Sequence, residues 1–539
     1  MPDLQFAQRA FQMKNIALCL SGGGLRATFF HFGVVRLLRD AQLLGRVSHI
    51  FSVSGGSILA AHLVANWGAY TGSEEQFIEI RKAFISLAKQ DIRGNALRRW
   101  LLTWPLDLIF YRFGLTRYLE REYAKFLKPA AALADLGGLA PNSHPELHLL
   151  TTSLTTGELC SFSREGLHLW DRERDREPLD GSALSLARAV AASSAFPPLF
   201  PPVAISTEML STGHKGKLPR EPEYLIDGGI FDNFGSELAG RLCKEGFVDV
   251  ECILVSDAGA SFNWDIKRDN WWILPRNVRS TNILMKRVTD MTLSQPAADQ
   301  PARLMCSISA EVPESTPGVL PVGLQQLMSF VRTDLDDFSD VGPWLTRHGY
   351  DVASHALEED GRFFRYLKRL PPKQFIGEEW DGHRLQKHSK ILKAAQRLKI
   401  TVINFRDWAF YIAVIKFVLA ASLVAHLFLD LHRETVIREV TKPIASTPTS
   451  ENDVFISATP TTNNPDELTA SRVSLDAVTR VFVNRADEAV KLYWIDPSGK
   501  EMPYGQLAPF TSVQITTYAG HLWVAKTIRG SVLLTYEVH

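Results

Sequence analysis

The stretch His49-Ile50-Phe51-Ser52-Val53-Ser54-Gly55-Gly56-Ser57-Ile58-Leu59-Ala60-Ala61 constrains this chain more than any other. A short apolar run with strand character meets a serine followed by two glycines, and small and apolar residues at helical spacing come next. That order predicts a strand, a sharp turn and a helix, the layout of a nucleophile elbow. The turn must be tight, so small neighbours are needed around the serine. The helix N-terminus behind it favours negative charge developing nearby. The usual spacing is Gly-x-Ser-x-Gly, and here Ser52 holds the first position. A small residue there still permits the turn, but the stretch alone also fits a plain glycine-rich strand–helix connection.

Two other stretches add weight. Asn15 to Leu20 reads as a buried strand running into Ser21-Gly22-Gly23-Gly24-Leu25-Arg26, followed by an amphipathic pattern through Val34, Val35, Leu37 and Leu38. Three glycines between strand and helix free several backbone N–H groups to point at one anion, as a phosphate cradle or as an oxyanion hole. A P-loop is excluded, because no Lys-Ser or Lys-Thr follows the last glycine. Downstream, Tyr224-Leu225-Ile226-Asp227-Gly228-Gly229-Ile230-Phe231-Asp232-Asn233 sets an aspartate at a strand end before two glycines, where it could face a serine.

The glycine loop with its arginine, the Ser-x-Ser-Gly-Gly elbow and the Asp-Gly-Gly turn, in that order, resemble the patatin-like phospholipases. The segment Ala192-Ser193-Ser194-Ala195-Phe196-Pro197-Pro198-Leu199-Phe200-Pro201-Pro202-Val203 is similar to one that family carries. The resemblance covers roughly residues 10 to 370. It implies an α/β domain with a Ser–Asp dyad and no histidine: Ser54 as nucleophile and Asp227 as base. It also implies that Gly22, Gly23, Gly24 and Arg26 form or support the oxyanion hole, with Ser52, Gly55 and Gly56 shaping the elbow. Phospholipid or another acyl-ester lipid is the implied substrate, and such chemistry needs neither a cofactor nor a metal.

Rival groups exist. Asp257, at the end of Ile253-Leu254-Val255-Ser256, is a second strand-end carboxylate and the serious competitor to Asp227. Ser193 and Ser194 are rival nucleophiles, but they lie inside a helical pattern rather than at an elbow. His31, on the helix after the glycine loop, is the nearest candidate for a Ser–His mechanism, though a histidine there is more often packed or capping.

Strand, glycine turn and helix alternate over the first seventy or so residues, which predicts a mainly parallel sheet flanked by helices. With 45% apolar residues the chain can bury a sizeable core. The 59 basic residues balance the 59 acidic ones, so bulk charge points to no nucleic-acid partner. Cys19, Cys160, Cys243, Cys252 and Cys306 are scattered without metal spacing and read as free thiols of a reducing compartment. The N-terminus lacks the charged and apolar regions of a signal peptide. Glu74 to Leu127 reads as helices rich in aromatics and arginine, either a lid or membrane-touching surface, or an insertion packed on the core. Trp170 to Arg176 reads as a solvated charged loop.

Residues 1–380 are thus expected to be the catalytic domain. A basic amphipathic connector follows over 381–407, through Lys387, Lys390, Lys393, Arg397, Lys399 and Arg406. Residues 408–431 are apolar enough, and at about twenty residues long enough, for a transmembrane helix. Lys416 lies within roughly two turns of its start and can snorkel, while Trp408 and Tyr411 suit the interface. A buried or membrane-surface helix is the alternative. Positive charge is heavier on the N-terminal side, although His432, Arg433, Arg438 and Lys442 stand on the other. The expectation is a single pass with the catalytic domain cytoplasmic.

Residues 432–470, rich in Thr, Ser, Pro and Asn, read as a linker that cannot bury a core. From 471 to 539, β-branched and aromatic runs separated by turns predict a small all-β sandwich. Val481-Phe482-Val483-Asn484-Arg485, Tyr493-Trp494-Ile495-Asp496, Pro503-Tyr504-Gly505 and Thr517-Tyr518-Ala519-Gly520-His521-Leu522-Trp523 resemble the β domain of the von Hippel–Lindau family. That resemblance implies a cage for a hydroxyproline ring of a partner peptide, made here of Trp494, Tyr504, Thr517, His521 and Trp523. The family's helical domain is missing. The plain alternative for these residues is a sandwich core. For the whole chain, the rivals to a lipid hydrolase are an acyltransferase or protein deacylase using the same dyad, or a membrane-anchored recruitment protein with an inactive lipase-like domain.

Overall fold

The structure is a computed structural model that describes residues 15–110, 114–136, 144–170, 178–210, 218, 221–259, 273–294, 301–316, 319–367, 385–397, 399, 403–440, 442–443, 452–459 and 470–539. The charged run after Trp170 (171–177), the N-terminal residues 1–14 and parts of the linker (444–451 and 460–469) lie outside that set. The chain divides into two compact units, 1–413 and 414–539.

Among the described residues the first unit is built on ten strands: β1 (Ile16–Leu20), β2 (Val47–Ser52), β3 (Glu146–Ser153), β4 (Leu159–Ser163), β5 (Gly166–Leu169), β6 (Leu179–Asp180), β7 (Val203–Ile205), β8 (Glu223–Asp227), β9 (Cys252–Asp257) and β10 (Ala302–Ser307). Their order is β10-β9-β1-β2-β3-β4-β5-β6, with β8 also on β3 and β7 on β8. The run from β10 to β3 is parallel. All pairs from β3 outward are antiparallel. The sheet is therefore mixed, where the sequence pattern predicted a mainly parallel one. Short turns such as Thr155-Thr156-Gly157 return the chain at once, and a tight return makes an antiparallel neighbour; only the glycine-turn-then-helix units make parallel ones.

Both faces of the parallel half are covered, so β1 reads as an unbroken buried run. Helix α1 (Gly24–Asp40) follows β1 and helix α2 (Gly55–Ala65) follows β2. The helix Glu74–Ala88 starts at a Ser73–Gln76 capping box and buries Phe77, Ile80, Phe84 and Leu87. Phe84 stacks on Phe32 of α1 at 4.0 Å between ring centres. That part of the 74–127 stretch is an insertion packed on the core, not a lid. Four of the cysteines are buried free thiols, and Cys243 is half-buried. Helix α3 (Leu186–Ser193) runs toward the elbow, α4 (Ile273–Ser294) follows β9, and α5 (Gly342–Glu359) lies against α1.

Helix α6 (Trp408–Val440) is longer than the apolar stretch that announces it. Its window Trp408–His426 has a mean hydropathy of 2.0 and is almost wholly exposed. It is the one helix among the described residues long and apolar enough to cross a membrane. Just before it, Asp407 accepts from the buried guanidinium of Arg98 at 2.6 Å.

Among the described residues the second unit contains two four-stranded sheets. One is β11 (Lys442–Pro443), β16 (Thr511–Tyr518), β13 (Ala477–Asn484) and β12 (Asp453–Ile456); the other is β15 (Glu501–Leu507), β14 (Val490–Ile495), β17 (Leu522–Thr527) and β18 (Val532–Glu537). Phe482, Leu492, Ile515, Trp523 and Leu533 meet in one core between them, as a sandwich requires. The linker assignment needs correction: α6 runs on to Val440, and 453–456 is a strand pairing parallel with β13. Val454 and Ile456 join the core. Composition averaged over the stretch hid four residues of alternating pattern.

Candidate active site

Ser54 stands between β2 and α2 with φ 51° and ψ −118°. A non-glycine residue there costs of order 1–3 kcal/mol and persists only where its surroundings over-determine it. Here they do. The Ser54 N–H is shared between the Ser193 carbonyl and the Ser193 Oγ, both at 3.1 Å. Behind the turn, Val53 N–H donates to the Leu20 carbonyl at 3.0 Å. Ser52, the departure from the glycine pattern, has a local job. Its Oγ donates to the His148 carbonyl at 3.3 Å and accepts from Ser57 Oγ at 3.1 Å, and Ser57 is 2.8 Å from Ser193 Oγ. A chain of hydroxyls thus joins strand, elbow and α3.

The glycine loop lies directly on the elbow. A methyl group on Gly55 would sit 2.0 Å from the Gly24 carbonyl oxygen, so no side chain fits. Gly56 packs as tightly on the Leu20 carbonyl, 2.4 Å from the same hypothetical methyl. The four loop residues then part ways. The Gly22 N–H is engaged by the Asn233 carbonyl at 3.1 Å. Among the described residues no acceptor meets the N–H of Gly23, Gly24 or Gly55. Arg26 is buried and points away: Nε and Nη2 donate to the Ala258 carbonyl at 3.1 and 2.8 Å, and Nη1 to that of Val331 at 2.8 Å. Of the two roles expected for Arg26, forming the hole or supporting it, its contacts fit only support.

Asp227 reaches Ser54 from β8. That strand pairs antiparallel with β3, setting Asp227 opposite Thr151, and β3 neighbours the strand that carries the elbow. The Asp227 N–H donates to the Ala195 carbonyl at 3.2 Å. Its carboxylate accepts the Gly229 N–H at 2.8 Å and lies close enough to the Ser54 side chain for that hydroxyl to lower its pKa. Burial pushes its carboxyl up to about 7, against the lowering effect of those two groups.

The rivals are occupied elsewhere. Asp257 accepts from the Gly259 N–H at 2.7 Å and the Ser307 hydroxyl at 2.9 Å. His31 is fully buried between the Ser21 carbonyl, 2.9 Å from Nε2, and Ser256 Oγ, 2.6 Å from Nδ1. A carbonyl can only accept, so Nε2 carries the proton and Nδ1 accepts the serine's. Burial pulls this histidine down to about 4, and it holds strand ends together. Ser194 donates to the Val190 carbonyl at 2.8 Å and pairs with Tyr123 at 3.1 Å.

Sequence reasoning weighed Ser193 only as a nucleophile, whereas it is the acceptor for the elbow N–H. It missed Asn233. Its carbonyl takes the Gly22 N–H, and its Oδ1 lies 2.6 Å from a methyl built on Gly22 and 2.8 Å from one built on Gly229. Asn233 therefore fills the gap between the glycine loop and the Asp-Gly-Gly turn. Its place six residues after Asp227 was the available signal.

In the second unit the five expected cage residues come together. Trp494 and Trp523 face each other across β14 and β17. Tyr504 meets Trp523 edge-on at 4.7 Å, and Trp494 lies 5.2 Å from His521. Thr517 Oγ1 accepts from Trp523 Nε1 at 3.0 Å and is 3.2 Å from His521 Nδ1. Trp523 and Thr517 are buried, so they are walls of the sandwich core as well. Tyr504, 56% exposed, and the half-buried Trp494 and His521 form the accessible side. Trp494 Nε1 is buried with no hydrogen-bond partner among the described residues.

Against known proteins, residues 18–239 match the model of the family "patatin-like phospholipase" and residues 469–532 that of the "VHL beta domain". No curated protein matches. Among solved structures, human GIVD cytosolic phospholipase A2 is similar at 14% identity over 68% of this chain and 65% of that one, with a TM-score of 0.42. Its complex with methyl γ-linolenyl fluorophosphonate aligns at 16% identity over 66% and 59%, TM-score 0.40. VipD from Legionella pneumophila aligns at 13% identity over 74% and 90%, TM-score 0.25. The chain spans slightly less than two thirds of the first of these proteins.

Proposed function

From a chain that carries a patatin-like phospholipase domain and a VHL beta domain, we propose a serine lipid acyl hydrolase tethered to a membrane. One observation carries this reading. A strained serine lies beside a buried aspartate whose pKa its hydroxyl lowers, next to a glycine loop whose Gly23 and Gly24 amides have no acceptor among the described residues.

Asp227 takes the Ser54 proton as Oγ attacks the ester carbonyl. The oxyanion is held by the Gly23, Gly24 and Gly55 N–H groups, which have no acceptor among the described residues, and one such donor is typically worth about 3 kcal/mol. The tetrahedral intermediate collapses, and the leaving alkoxide takes the proton from Asp227. Water, deprotonated by Asp227, then attacks the acyl-serine, and the proton returns to Ser54. A carboxyl near 7 suits this, since a base works best with a pKa near the working pH. The test is a fluorophosphonate probe followed by lipid product analysis. Covalent labelling at Ser54 and release of fatty acid from phospholipid vesicles are expected; an unlabelled Ser54 in folded protein would remove the assignment.

The tether is α6, with the basic connector on its cytoplasmic side. Full-length protein should stay in the membrane pellet after alkaline carbonate extraction, and a chain lacking 408–426 should not. Release of the full chain into the supernatant would overturn the span. Protease protection of the second unit in sealed vesicles would report the orientation.

The second unit is proposed to bind a hydroxyproline-containing peptide. The unpartnered Trp494 Nε1 and the Thr517–His521 pair offer polar groups beside apolar ring faces, which supports the reading. Trp494→Ala should weaken peptide binding by tenfold or more, on the scale of about 2 kcal/mol for an anchor residue. Equal affinity in a titration, or no preference for hydroxyproline over proline, would exclude the cage.

A further inference from the structure

Helix α4 has two faces with different work. Thr281, Met285, Val288, Thr289 and Thr292 recur at helical spacing on its inner side. A methyl built on Gly229 would lie 3.3 Å from Met285 Cε and 3.1 Å from Asp227 Oδ1. The helix therefore sits over the turn that carries the base. At its end Arg303 Nη1 donates to the Thr292 carbonyl at 3.4 Å, which ties the helix to β10.

The outer side is unlike an ordinary solvated face. Ile283, Leu284 and Met291 are 50%, 63% and 57% exposed. Single exposed apolar side chains are common, whereas three exposed on one helix face form a patch that calls for an explanation. The helix also bears Arg276, Arg279, Lys286 and Arg287 against a single carboxylate, Asp290, which pairs with Lys286 at 2.9 Å. Exposed apolar side chains flanked by an excess of cations are the pattern of a helix lying in an anionic membrane surface. Leu284 faces outward and Met285, the next residue, touches the active-site turn.

We propose that α4 is the surface on which this enzyme docks to an anionic lipid bilayer, bringing the mouth of the Ser54–Asp227 site onto its substrate. The occupant is the bilayer, chosen by charge complementarity and by the apolar face between the cations. The proposal rests on the lipid-hydrolase reading for its purpose but not for its test. Docking in this way makes Leu284 enter the interface, and hydrolysis of packed lipid depends on that entry where hydrolysis of a dissolved ester does not.

Two measurements on the full chain decide it. First, Leu284→Cys, made in a Cys243→Ser background and labelled with an environment-sensitive dye, is reconstituted in phosphatidylcholine vesicles with and without phosphatidylglycerol. A blue shift in the anionic vesicles that high salt reverses is expected; an unchanged spectrum overturns the proposal, and would leave a protein partner as the occupant of this face. Second, the Ile283→Glu/Leu284→Glu variant is compared with the parent. Hydrolysis of the anionic vesicles should fall by about tenfold or more, with cleavage of a short-chain soluble ester and fluorophosphonate labelling unchanged. Equal vesicle hydrolysis overturns the proposal. If the parent neither labels nor cleaves the soluble ester, the hydrolase reading fails, and the dye shift still decides docking.

Discussion

Ser54→Ala is expected to lower turnover of a phospholipid ester between about 10⁴- and 10⁶-fold, while the protein stays folded. The reason is that no neighbouring hydroxyl can take over. Ser193 is bound up with the Ser54 N–H and Ser57, Ser194 faces Tyr123, and Ser52 and Ser57 bond each other. The residue lost is the one at the strained turn, whose hydroxyl lowers the Asp227 pKa. The elbow itself should survive, because its N–H acceptors belong to Ser193 and not to the missing hydroxyl. Mass spectrometry after fluorophosphonate treatment gives the cleanest check: the parent gains one adduct and the variant none. A variant that still releases fatty acid at a parental rate would show that another group performs the attack.

Asp227→Asn should cost about 10³- to 10⁴-fold in kcat, with substrate affinity little changed, since an amide cannot receive the serine proton. The parent's pH profile makes the same point without mutation. The base must be ionised to act. With its carboxyl near 7, kcat/KM should level off above that pH and fall about tenfold per unit below it. Stability moves the other way. An ordinary aspartate carboxyl sits at 3.8, so between about 4 and about 7 the folded protein holds a proton that the unfolded chain has released. Folding stability therefore declines as pH rises through that window, and stays at its lower value above it. The amide of the variant carries no charge to desolvate, so Asp227→Asn should remove this slope and leave a protein at least as stable as the parent at pH 8. Thermal melts of both proteins at pH 5 and pH 8 test the sign. A parent profile flat from pH 5 to 8, or a variant with parental activity, would remove Asp227 as base.

How far the site could be read along the chain varied with how local each feature is. The tight turn at Ser54, the bare glycine loop and the apolar stretch from Trp408 were legible because backbone conformation and hydrophobic length act over a few residues. The choice between Asp227 and Asp257 was legible only through the family resemblance and not from the pattern of the residues themselves. Both end buried strands and both precede a turn, and both carboxylates accept the N–H two residues on, from Gly229 and from Gly259. What separates them is that β8 pairs with β3 while β9 pairs with β1 and β10. Arg26 misled in the same way: a cation beside an anion-binding loop suggests a ligand for the anion, yet its donors close on carbonyls of residues more than two hundred positions away. The strand at 453–456 escaped because its four residues lie within a polar, proline-rich stretch, and only the core they enter gives them meaning.

The chain's own order of residues thus determined the local pieces: a serine placed where only small neighbours fit, a loop of glycines with amides to spare, an acid at a strand end, a long apolar helix and a tail of short strands. The tertiary structure alone decided that Ser193 and Asn233 hold the two loops in place, and that Met285 covers the turn beside them. The physical reason is one of range. Turn geometry and hydrophobic periodicity are settled by neighbours a few residues apart, whereas hydrogen-bond partners follow from strand order, which the burial of the whole core selects.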